Sequence, residues 1–310
     1  MTVNRDLRRL QKIGFVEKAG AGRGVTYTLT TQYRSIRPLD VEAYFAIDLE
    51  KRRIKERFDF NVFSLFGGIF EVDELKGLQN LNAAYRERLK RIPPAILKKE
   101  YERLTIDLAW KSSKIEGNTY TLLETEHLLR EHKEPKGHTH EETLMILNHK
   151  TALDYIRANT RVFKRLRVRD IEDVHSVLTK GLHVSRNIRN RIVRIGGTAY
   201  KPLDNSYQIK EALEKMCDLV NDRRDPFSKA LIGMLMIAYI QPFEDGNKRT
   251  SRLVGNALLL AAGACPLSFR SIDELEYKKV MLLFYEQNNY QLFKELFIKQ
   301  FEFAATNYFE

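Results

Sequence analysis

The sequence predicts a mainly α-helical protein, and three observations lead to that prediction. Apolar side chains recur at helical spacing through most of the 310 residues, which is the pattern of helices with one buried face. Glycine and proline pairs divide these stretches where helices commonly end or begin. Alternating or β-branched segments are short and lie near residues 25–29 and 191–202. We therefore expect a helical core with two small β elements.

Residues 1–36 predict a partial winged-helix-like element. The apolar positions of its first helix are Val3, Leu7, Leu10 and Ile13. Gly14 would end that helix, and a glycine-rich turn at residues 20–24 leads into the alternating strand at residues 25–29. A helix followed by a hairpin with a basic tip is typical of winged-helix DNA-binding domains. The side chains that would face phosphates are Arg5, Arg8, Arg9 and Arg23. A docking or vestigial element is the alternative, since a complete module needs two more helices upstream.

Residues 37–94 are predicted to be a helical connecting region. The stretch from Asp40 to Phe58 is charged and amphipathic, and Gly67-Gly68 interrupts the pattern before a helix resumes. Pro93-Pro94 then marks the start of a third domain, residues 95–310, because proline is favoured in the first turn of a helix. We expect this domain to be helical almost throughout.

The composition is that of an ordinary globular protein, with 43% hydrophobic and 30% charged residues. Cys217 and Cys265 provide no disulfide framework, which fits a reducing compartment. The N-terminus has no apolar leader. The longest apolar runs, residues 230–240 and 257–264, are about half of the ~20 residues that a membrane span needs. We therefore expect a cytoplasmic protein without a membrane partner.

The excess of positive charge favours polyanionic partners. The net charge is +11, and residues 1–58 hold 13 Lys and Arg against 7 Asp and Glu. Residues 157–194 hold 11 Lys and Arg against 3 Asp and Glu. Such regions attract nucleic acids, nucleotides or acidic protein surfaces. Solvated helix faces have the same composition, so charge alone does not decide between these interpretations.

The most informative stretch is residues 241–252, Gln-Pro-Phe-Glu-Asp-Gly-Asn-Lys-Arg-Thr-Ser-Arg. An acidic turn with a glycine separates an apolar run from a new helix. Arg249 and Arg252 share one face of the first turn of that helix. Unpaired N–H groups at a helix N-terminus and two guanidinium groups favour a phosphate ligand. Asp245 offers a carboxylate to a magnesium ion on that phosphate. The structural alternative is a pair of exposed surface arginines.

This stretch resembles the signature loop of Fic proteins, which transfer AMP, or less often another phosphate-containing group, to protein hydroxyls. The family pattern is H-x-F-x-[D/E]-G-N-[G/K]-R-x-x-R. Every fixed position matches except the first, where Gln241 replaces histidine. The resemblance covers roughly residues 95–300 and implies a Fic-type helical core with a β-hairpin flap.

The resemblance also implies roles for the loop residues. Gly246 and Asn247 would contact the α-phosphate of ATP. Arg249 would bind the bridging phosphates and Arg252 the γ-phosphate, while Asp245 would hold Mg²⁺.

The catalytic positions that the resemblance implies are Gln241, Asn247 and Lys248. Lys248 also belongs to the implied nucleotide contacts, and it occupies a position where glycine is commoner in AMP-transferring members. Lysine there is also found in members that transfer phosphate, so the transferred group stays open.

Residues 191–202 predict a short hairpin, because they are β-branched, then contain glycine, and then reach Pro202. In Fic proteins a flap of the form V-x-I-x-G lies over the loop and holds the target segment by strand addition. It would bring Ile195 and Gly196 to the nucleotide. In relatives a tyrosine near the position of Tyr277 stacks on adenine.

Gln241 decides how the activity is interpreted. A histidine at this position would accept the proton of the target hydroxyl, whereas a glutamine amide is not a base at physiological pH. Loss of a general base typically costs ~10²–10⁴ in rate. Two interpretations follow: a degenerate enzyme that binds nucleotide and signals by it, or a slow transferase that uses another base, for which Glu244 is the neighbouring candidate.

Ser112 and Glu116 are four residues apart and would lie on one face of a helix. A plain helix end, with Glu116 in solvent, is the structural alternative. Many Fic proteins carry S/T-x-x-x-E-G/N in an inhibitory helix, and the resemblance implies that Glu116 pairs with Arg252. Such a pair would occupy the guanidinium that the γ-phosphate needs.

The histidines give weaker signals. A cluster with acidic neighbours contains His132, His138 and His140. Its spacing matches no standard zinc site, so a polar loop between helices is favoured. His175 lies at helical spacing from apolar residues and is predicted to pack inside the protein.

Two functions of different classes follow. The first is an auto-inhibited or degenerate Fic-type adenylyltransferase that binds ATP and Mg²⁺ and acts on an unidentified target protein. The second is a nucleotide-sensing regulator that contacts DNA through residues 1–30. A structural dimerisation module is a third and weaker option, and a homo-oligomer is left open.

Overall fold

The computed structural model describes residues 3–309, and helices account for most of them, which confirms the predicted fold class. The first five helices are α1 (Val3–Lys12), α2 (Thr31–Ile36), α3 (Val41–Phe45), α4 (Val72–Arg91) and α5 (Pro94–Ile115). They are followed by α6 (Leu122–Glu131), α7 (His140–Ala158), α8 (Val168–Leu178), α9 (Ser206–Asn221) and α10 (Pro226–Ile240). The chain ends with α11 (Asn247–Ala261), α12 (Glu274–Gln287) and α13 (Gln291–Asn307).

The centre of the core is the pair α10 and α11. Residues 230–240 and 249–259 are buried without interruption. This is expected for α10, which is apolar almost throughout, whereas the buried stretch of α11 also contains Arg249 and Arg252. Gly255 lets the two helices approach closely, since a Cβ there would lie 2.1 Å from Cε of Met234. The turn between α10 and α11 is therefore held on both sides by rigid, buried helices.

Within residues 3–309, no helix combines the length and apolarity that crossing a bilayer requires.

The N-terminal element is a helix followed by an antiparallel hairpin. Strands β1 (Val16–Ala19) and β2 (Thr26–Leu29) pair from Val16 opposite Leu29 to Ala19 opposite Thr26. Gly14 ends α1 with φ +76°, a conformation that glycine adopts without strain. None of the described side chains of α1 is buried. This helix is therefore attached to the hairpin and faces solvent.

The connecting region is less helical than its amphipathic sequence suggests. Between Asp40 and Phe58 the structure has the short helix α3 and a single 3-10 turn at Leu49–Lys51. The rest is extended because its backbone groups bond to other elements, as when the Lys55 N–H donates to the Glu286 carbonyl at 2.8 Å. Local periodicity is overruled here by tertiary contacts.

The flap, residues 191–202, is extended but is not the predicted β-hairpin. The described residues contain one sheet, formed by β1 and β2, and within the flap Lys201 makes an isolated parallel bridge to Arg57. The backbone groups that a hairpin would pair are engaged elsewhere. The carbonyl of Arg191 accepts from the Arg189 guanidinium at 2.7 Å, and the Lys201 N–H donates to the Glu56 carbonyl at 2.8 Å.

The histidine cluster lies in the polar connection between α6 and α7. His132 ends α6 in the left-handed region, at φ +55°, and the His138 ring packs on Tyr120 with 3.9 Å between centroids. His140 begins α7. Across residues 3–309 no group of three or more His, Cys, Asp or Glu is arranged to hold a metal ion.

Candidate active site

The loop between α10 and α11 owes its shape to two residues in the left-handed region. Gln241 ends α10 at φ +52°, and Gly246 precedes α11 at φ +79°. A Cβ on Gly246 would lie 3.2 Å from Cγ2 of Thr179 and 3.5 Å from the His175 ring. Glycine therefore meets both the backbone and the space requirement at this position.

Asn247 closes the loop on itself. Its Oδ1 accepts from the Phe243 N–H and its Nδ2 donates to the Phe243 carbonyl, both at 2.8 Å. The resemblance places Asn247 on the α-phosphate, but both polar groups of its side chain are already used by the backbone. Asn247 thus shapes the loop, and the backbone N–H groups at the start of α11 are left to face an anion.

α8 supports the other side of the loop through His175. Its ring stacks on Phe243 with 3.6 Å between centroids, and Nε2 lies 3.0 Å from the Asp245 carbonyl. The residue is fully buried, and burial lowers its pKa to about 4 despite that hydrogen bond. The structure therefore places His175 as a neutral, packed support for the loop, and its position agrees with the sequence interpretation.

Arg249 is the first of two buried arginines on α11. Its Nη2 donates to Asp245 Oδ2 at 2.6 Å, and the residue is 2% exposed. Within the described chain, Nη1 of Arg249 has no hydrogen-bond partner. An orphaned buried guanidinium nitrogen is costly, and an anion in the adjoining cleft would satisfy it.

Arg252 is the second buried arginine, and α5 holds it. Its Nε donates to Ser112 Oγ, and its Nη2 donates to both the Ser112 carbonyl and Glu116 Oε1, each at 2.8 Å. The guanidinium lies 5.3 Å from the centroid of the Tyr277 ring. Nη1 has no partner among residues 3–309. The arginine expected on the γ-phosphate is thus engaged by a carboxylate of its own chain.

Glu116 has a second cation beside it. Lys248 Nζ lies 3.5 Å from Glu116 Oε2, while Arg252 occupies the other oxygen. Burial alone raises the pKa of Glu116, but the charges of Arg252, Lys248 and Arg249 outweigh it, so the net pKa is below its usual value. Glu116 is therefore ionised at neutral pH and compensates part of the positive charge of Arg252 and Lys248.

A buried histidine that the sequence reasoning missed fixes Ser112. His149 of α7 places Nδ1 2.9 Å from the Met145 carbonyl and Nε2 2.9 Å from Ser112 Oγ. A carbonyl only accepts, so Nδ1 carries the proton and Nε2 accepts from the serine. Burial lowers the pKa of His149 to about 3. This neutral histidine leaves the serine oxygen free to accept from Arg252.

A polar cleft of about 150 Å³ lies between the loop and the flap. Its walls include the predicted residues Ile195, Gly196, Gln241, Asp245, Gly246, Asn247, Lys248 and Arg249, together with Glu116, Val193, Arg194 and Glu244. A more apolar cavity of about 360 Å³ adjoins it and shares Gly196 and Lys248. Tyr277 and Tyr285 line this second cavity. A polar cleft beside an apolar cavity suits a molecule with a charged and a flat apolar part.

Gln241 borders this cleft, but its amide N–H is already engaged by α10. Its Nε2 donates to the Ala238 carbonyl at 2.6 Å, and its own carbonyl accepts from Arg189 Nε at 2.7 Å. Glu244, the alternative base, has a side chain that is 34% exposed and lies 3.9 Å from Arg191. Neither residue is held in a geometry that by itself identifies a general base.

Comparison with known proteins agrees with this site. Residues 165–259, which include the loop and most of α11, match the Fic/DOC family. These residues therefore form a Fic/DOC domain match within the chain. Protein adenylyltransferase Fic from Nematostella vectensis is 28% identical over 203 residues, which are 62% of this chain and 46% of that protein. Protein adenylyltransferase fic-1 from Caenorhabditis elegans is 25% identical over 169 residues, which are 53% and 33%.

Solved structures show the same fold. Fic-1 from C. elegans superposes with a TM-score of 0.65 at 20% identity, over 76% of this chain and 71% of that one. A Fic domain containing signaling protein from Bacteroides thetaiotaomicron gives 0.64 at 18% identity, over 74% and 94%. The chain spans less than half the length of the curated relatives named above. The activity of those whole proteins therefore enters below as a proposal.

The cleft offers limited protein ligands for magnesium. Asp245 contributes one carboxylate, 66% exposed, whose Oδ2 is paired with Arg249. Mg²⁺ is commonly held by one or two carboxylates together with substrate phosphates. The site therefore fits a magnesium ion that arrives with a nucleotide.

We expect the stability of this protein to fall as the pH drops below about 6.5, the ordinary pKa of histidine. In the folded state the pKa of His149 is about 3 and that of His175 about 4, so both bind protons in the unfolded chain first. Each contributes stability that is present above pH 6.5 and is lost as the pH falls towards the folded value.

The expected loss from both histidines is about 2.5 kcal/mol per pH unit between pH 6 and 5. Urea unfolding at pH 7, 6 and 5 measures it. His149→Gln should reduce the slope of stability against pH by about half, whereas His132→Asn, in the connection between α6 and α7, should leave it unchanged. Equal slopes for all three proteins would contradict the assignment.

Proposed function

We propose that this Fic protein binds ATP with Mg²⁺ in the cleft between the loop and the flap. We further propose that it is an auto-inhibited relative of protein adenylyltransferases whose transfer step is weakened at Gln241. The observation that carries the proposal is the pair of buried arginines on α11. Arg249 and Arg252 each keep one unpartnered guanidinium nitrogen among the described residues, and a carboxylate from α5 occupies Arg252.

The geometry supports a separate part of the proposed ligand at each wall. The N-terminus of α11 and Arg249 suit phosphate oxygens, since both donate hydrogen bonds and carry positive charge. The apolar cavity beside Tyr277 suits a purine ring, whose contacts would be mostly van der Waals. A magnesium ion, when bound with the nucleotide, would neutralise phosphate charge, and Asp245 would hold it.

Transfer of AMP would join a target hydroxyl oxygen to the α-phosphorus while pyrophosphate leaves. The hydroxyl proton needs an acceptor, and the amide of Gln241 cannot take it. Glu244 is the carboxylate nearest in sequence and borders the same cleft. We therefore propose slow transfer through Glu244 or through solvent, or nucleotide sensing without transfer. Lys248 leaves phosphate transfer as a variant of the same chemistry.

Titration calorimetry with ATP and magnesium tests the binding proposal. Arg249→Gln should weaken ATP binding roughly tenfold or more, because a hydrogen bond to a charged group is lost. Arg91→Gln, an exposed arginine in the last turn of α4, should leave the affinity unchanged. Adenosine should bind far more weakly than ATP. If neither the unmodified chain nor Glu116→Gly binds ATP, the proposal is wrong.

The exposed α1 favours a second candidate, a nucleotide-sensing protein that contacts DNA. Its described side chains are unburied, and Arg5, Arg8 and Arg9 face solvent together with Arg23 at the hairpin tip. Clustered arginines of this kind commonly contact phosphates without selecting bases. The element is small, so we expect weak binding dominated by charge.

Duplex DNA binding should fall steeply with salt, and the double variant Arg8→Gln, Arg9→Gln should flatten that dependence. Each lost phosphate contact lowers the slope of log K against log salt by about 0.9. Fluorescence anisotropy at several salt concentrations measures it. Arg161→Gln, an exposed arginine of the second basic region, is the control. If the slope of log K against log salt changes only in Arg161→Gln, the DNA contact lies in residues 157–194 instead.

A further inference from the structure

An arginine outside the nucleotide site holds the turn of the flap. Arg52 Nη2 donates to the Gly197 carbonyl at 3.1 Å, and Arg52 Nη1 lies 3.2 Å from both carboxylate oxygens of Glu286. The side chain of Arg52 is 7% exposed and that of Glu286 is fully buried. One guanidinium group therefore joins α12 to the flap turn.

A second contact comes from the same part of the connecting region. Glu56 lies four residues after Arg52, and its carbonyl accepts a hydrogen bond from the Lys201 N–H at 2.8 Å. Residues 52–57, which we name the clamp segment, thus engage the flap at its turn and again at Lys201 after the turn. The clamp segment is itself fixed to α12, because the Lys55 N–H donates to the Glu286 carbonyl at 2.8 Å.

The guanidinium group of Arg52 is oriented by neighbours outside the flap. It lies 5.9 Å from the Tyr44 ring centroid and 5.1 Å from that of Phe45. The Tyr44 hydroxyl donates to Glu286 Oε2 at 2.7 Å, so two donors compensate the buried carboxylate. Burial raises the pKa of Tyr44 far above its ordinary value, which keeps this hydroxyl protonated. Tyr44 and Phe45 belong to α3, so the arrangement links the connecting region to the core.

The position of the flap turn matters for the cleft. Gly196 borders both the polar cleft and the apolar cavity, and Gly197 borders the cavity. Because the flap forms no hairpin of its own within the described chain, its turn depends on contacts with other segments. The clamp segment supplies two of these contacts, and the Arg52 contact is charge-assisted, although the Gly197 carbonyl that accepts it is exposed.

We propose that Arg52 is a positioning residue for the nucleotide site: it fixes the flap turn, so that the connecting region sets the width of the cleft. The part of this inference that concerns nucleotide rests on the proposed function. The part that concerns the flap rests on the contacts alone. A change in the connecting region would thereby reach the cleft without contacting the ligand.

Hydrogen exchange of the flap amides tests the clamp without any ligand. Arg52→Met removes the donors and keeps an apolar side chain between Tyr44 and Phe45. We expect the Lys201 amide and its flap neighbours to exchange roughly tenfold faster, because a charge-assisted hydrogen bond is lost. Arg53→Met, at the exposed neighbouring arginine, is the matched control and should exchange like the unmodified protein. Unchanged flap exchange in Arg52→Met would overturn the clamp.

Arg52→Lys separates positioning from stability. A lysine keeps the charge beside Glu286, but a single ammonium group cannot reproduce the fork that reaches two acceptors. We expect the melting temperature of Arg52→Lys to be close to that of the unmodified protein, while its flap amides exchange as fast as those of Arg52→Met. A merely structural role predicts that both return together, and that outcome would overturn the proposal.

ATP titration of the same variants, in the Glu116→Gly background, tests the functional half. Arg52→Met should weaken ATP binding several-fold, and Arg53→Met should not. Faster flap exchange with unchanged ATP affinity would overturn the role in nucleotide positioning. If none of these proteins binds ATP, Glu116→Gly alone included, the proposed function is wrong. The hydrogen-exchange data would still show whether Arg52 holds the flap turn.

Discussion

Replacing Glu116 by glycine is expected to tighten ATP binding by roughly 10-fold to 100-fold, which corresponds to a charge-assisted hydrogen bond of about 1.5–3 kcal/mol. In the unmodified protein Glu116 borders the cleft, and its Oε1 lies 2.8 Å from Arg252 Nη2. A γ-phosphate must compete with this carboxylate for the same guanidinium group. Removing the carboxylate ends the competition and also removes a like charge from the path of the phosphate. Calorimetric titration with ATP and magnesium measures the change.

The same variant should be less stable without ligand. Arg252 is fully buried, and removing its partner leaves an uncompensated charge, which typically costs about 3–5 kcal/mol. ATP should then raise the melting temperature more in Glu116→Gly than in the unmodified protein. This combination of lower intrinsic stability and stronger stabilisation by ATP is specific to a competitive carboxylate.

Two further variants make the comparison sharp. Glu116→Gln keeps an acceptor for Arg252 but removes the charge, so its ATP affinity should lie between the two extremes. Glu131→Gly introduces glycine at the exposed end of α6 and should not change ATP binding. If ATP binds Glu116→Gly no more tightly than the unmodified chain, Glu116 does not inhibit.

Restoring a histidine is expected to give the largest gain in transfer. Combined with Glu116→Gly, Gln241→His should raise transfer of label from α-³²P-ATP by ~10²–10⁴, the usual contribution of general acid–base catalysis. Histidine is among the non-glycine residues that tolerate the left-handed backbone at this position, φ +52°. The imidazole would titrate near neutral pH, which the glutamine amide cannot do. Label on the protein itself or on lysate proteins, separated on a gel, is the measurement.

The control is Gln241→Ala in the same Glu116→Gly background, which removes the amide without adding a base. If it labels as strongly as Gln241→His, proton transfer does not pass through this position. Label from the unmodified chain would identify another acceptor, and Glu244→Gln would then be expected to abolish it. Label only in the double variant Glu116→Gly, Gln241→His would mean that the natural chain lacks the base, and nucleotide sensing would become the leading role.

The sequence located the loop well because its constraints are local. Gly246 needs a left-handed backbone, and the two buried arginines follow within one and a half turns of the same helix. Such features depend on residues a few positions apart, so they survive in the linear pattern. The mainly helical core was predictable for the same reason, since the spacing of apolar residues in α10 and α11 is read along a single helix.

The flap shows where local reasoning ends. Its β-branched residues and glycines predict a hairpin, but the carbonyl of Arg191 and the N–H of Lys201 find partners outside it. Backbone groups pair with whatever acceptor or donor the tertiary structure brings near them. β-propensity describes a side chain that fits an extended surface and does not name the partner strand.

The supporting residues could not have been found from their own sequence neighbourhoods. His149 and Arg189 carry no motif, yet His149 orients Ser112, and Arg189 bonds the carbonyls of Gln241 and Arg191. Arg52 lies 145 residues from the Gly197 carbonyl that it holds. Each acts through a contact between distant segments, for which a single sequence contains no signal.

The sequence alone therefore determined the helical class, predicted phosphate binding by the loop, and placed Gln241 where the resemblance expects a histidine. These follow from residue identity and short spacing, which fix local conformation and chemistry. The tertiary structure alone decided that Asn247 serves the loop, that the flap is held by the connecting region, and that His149 supports Ser112. Those features depend on which buried polar groups meet across the folded chain, and burial makes each of them require a partner.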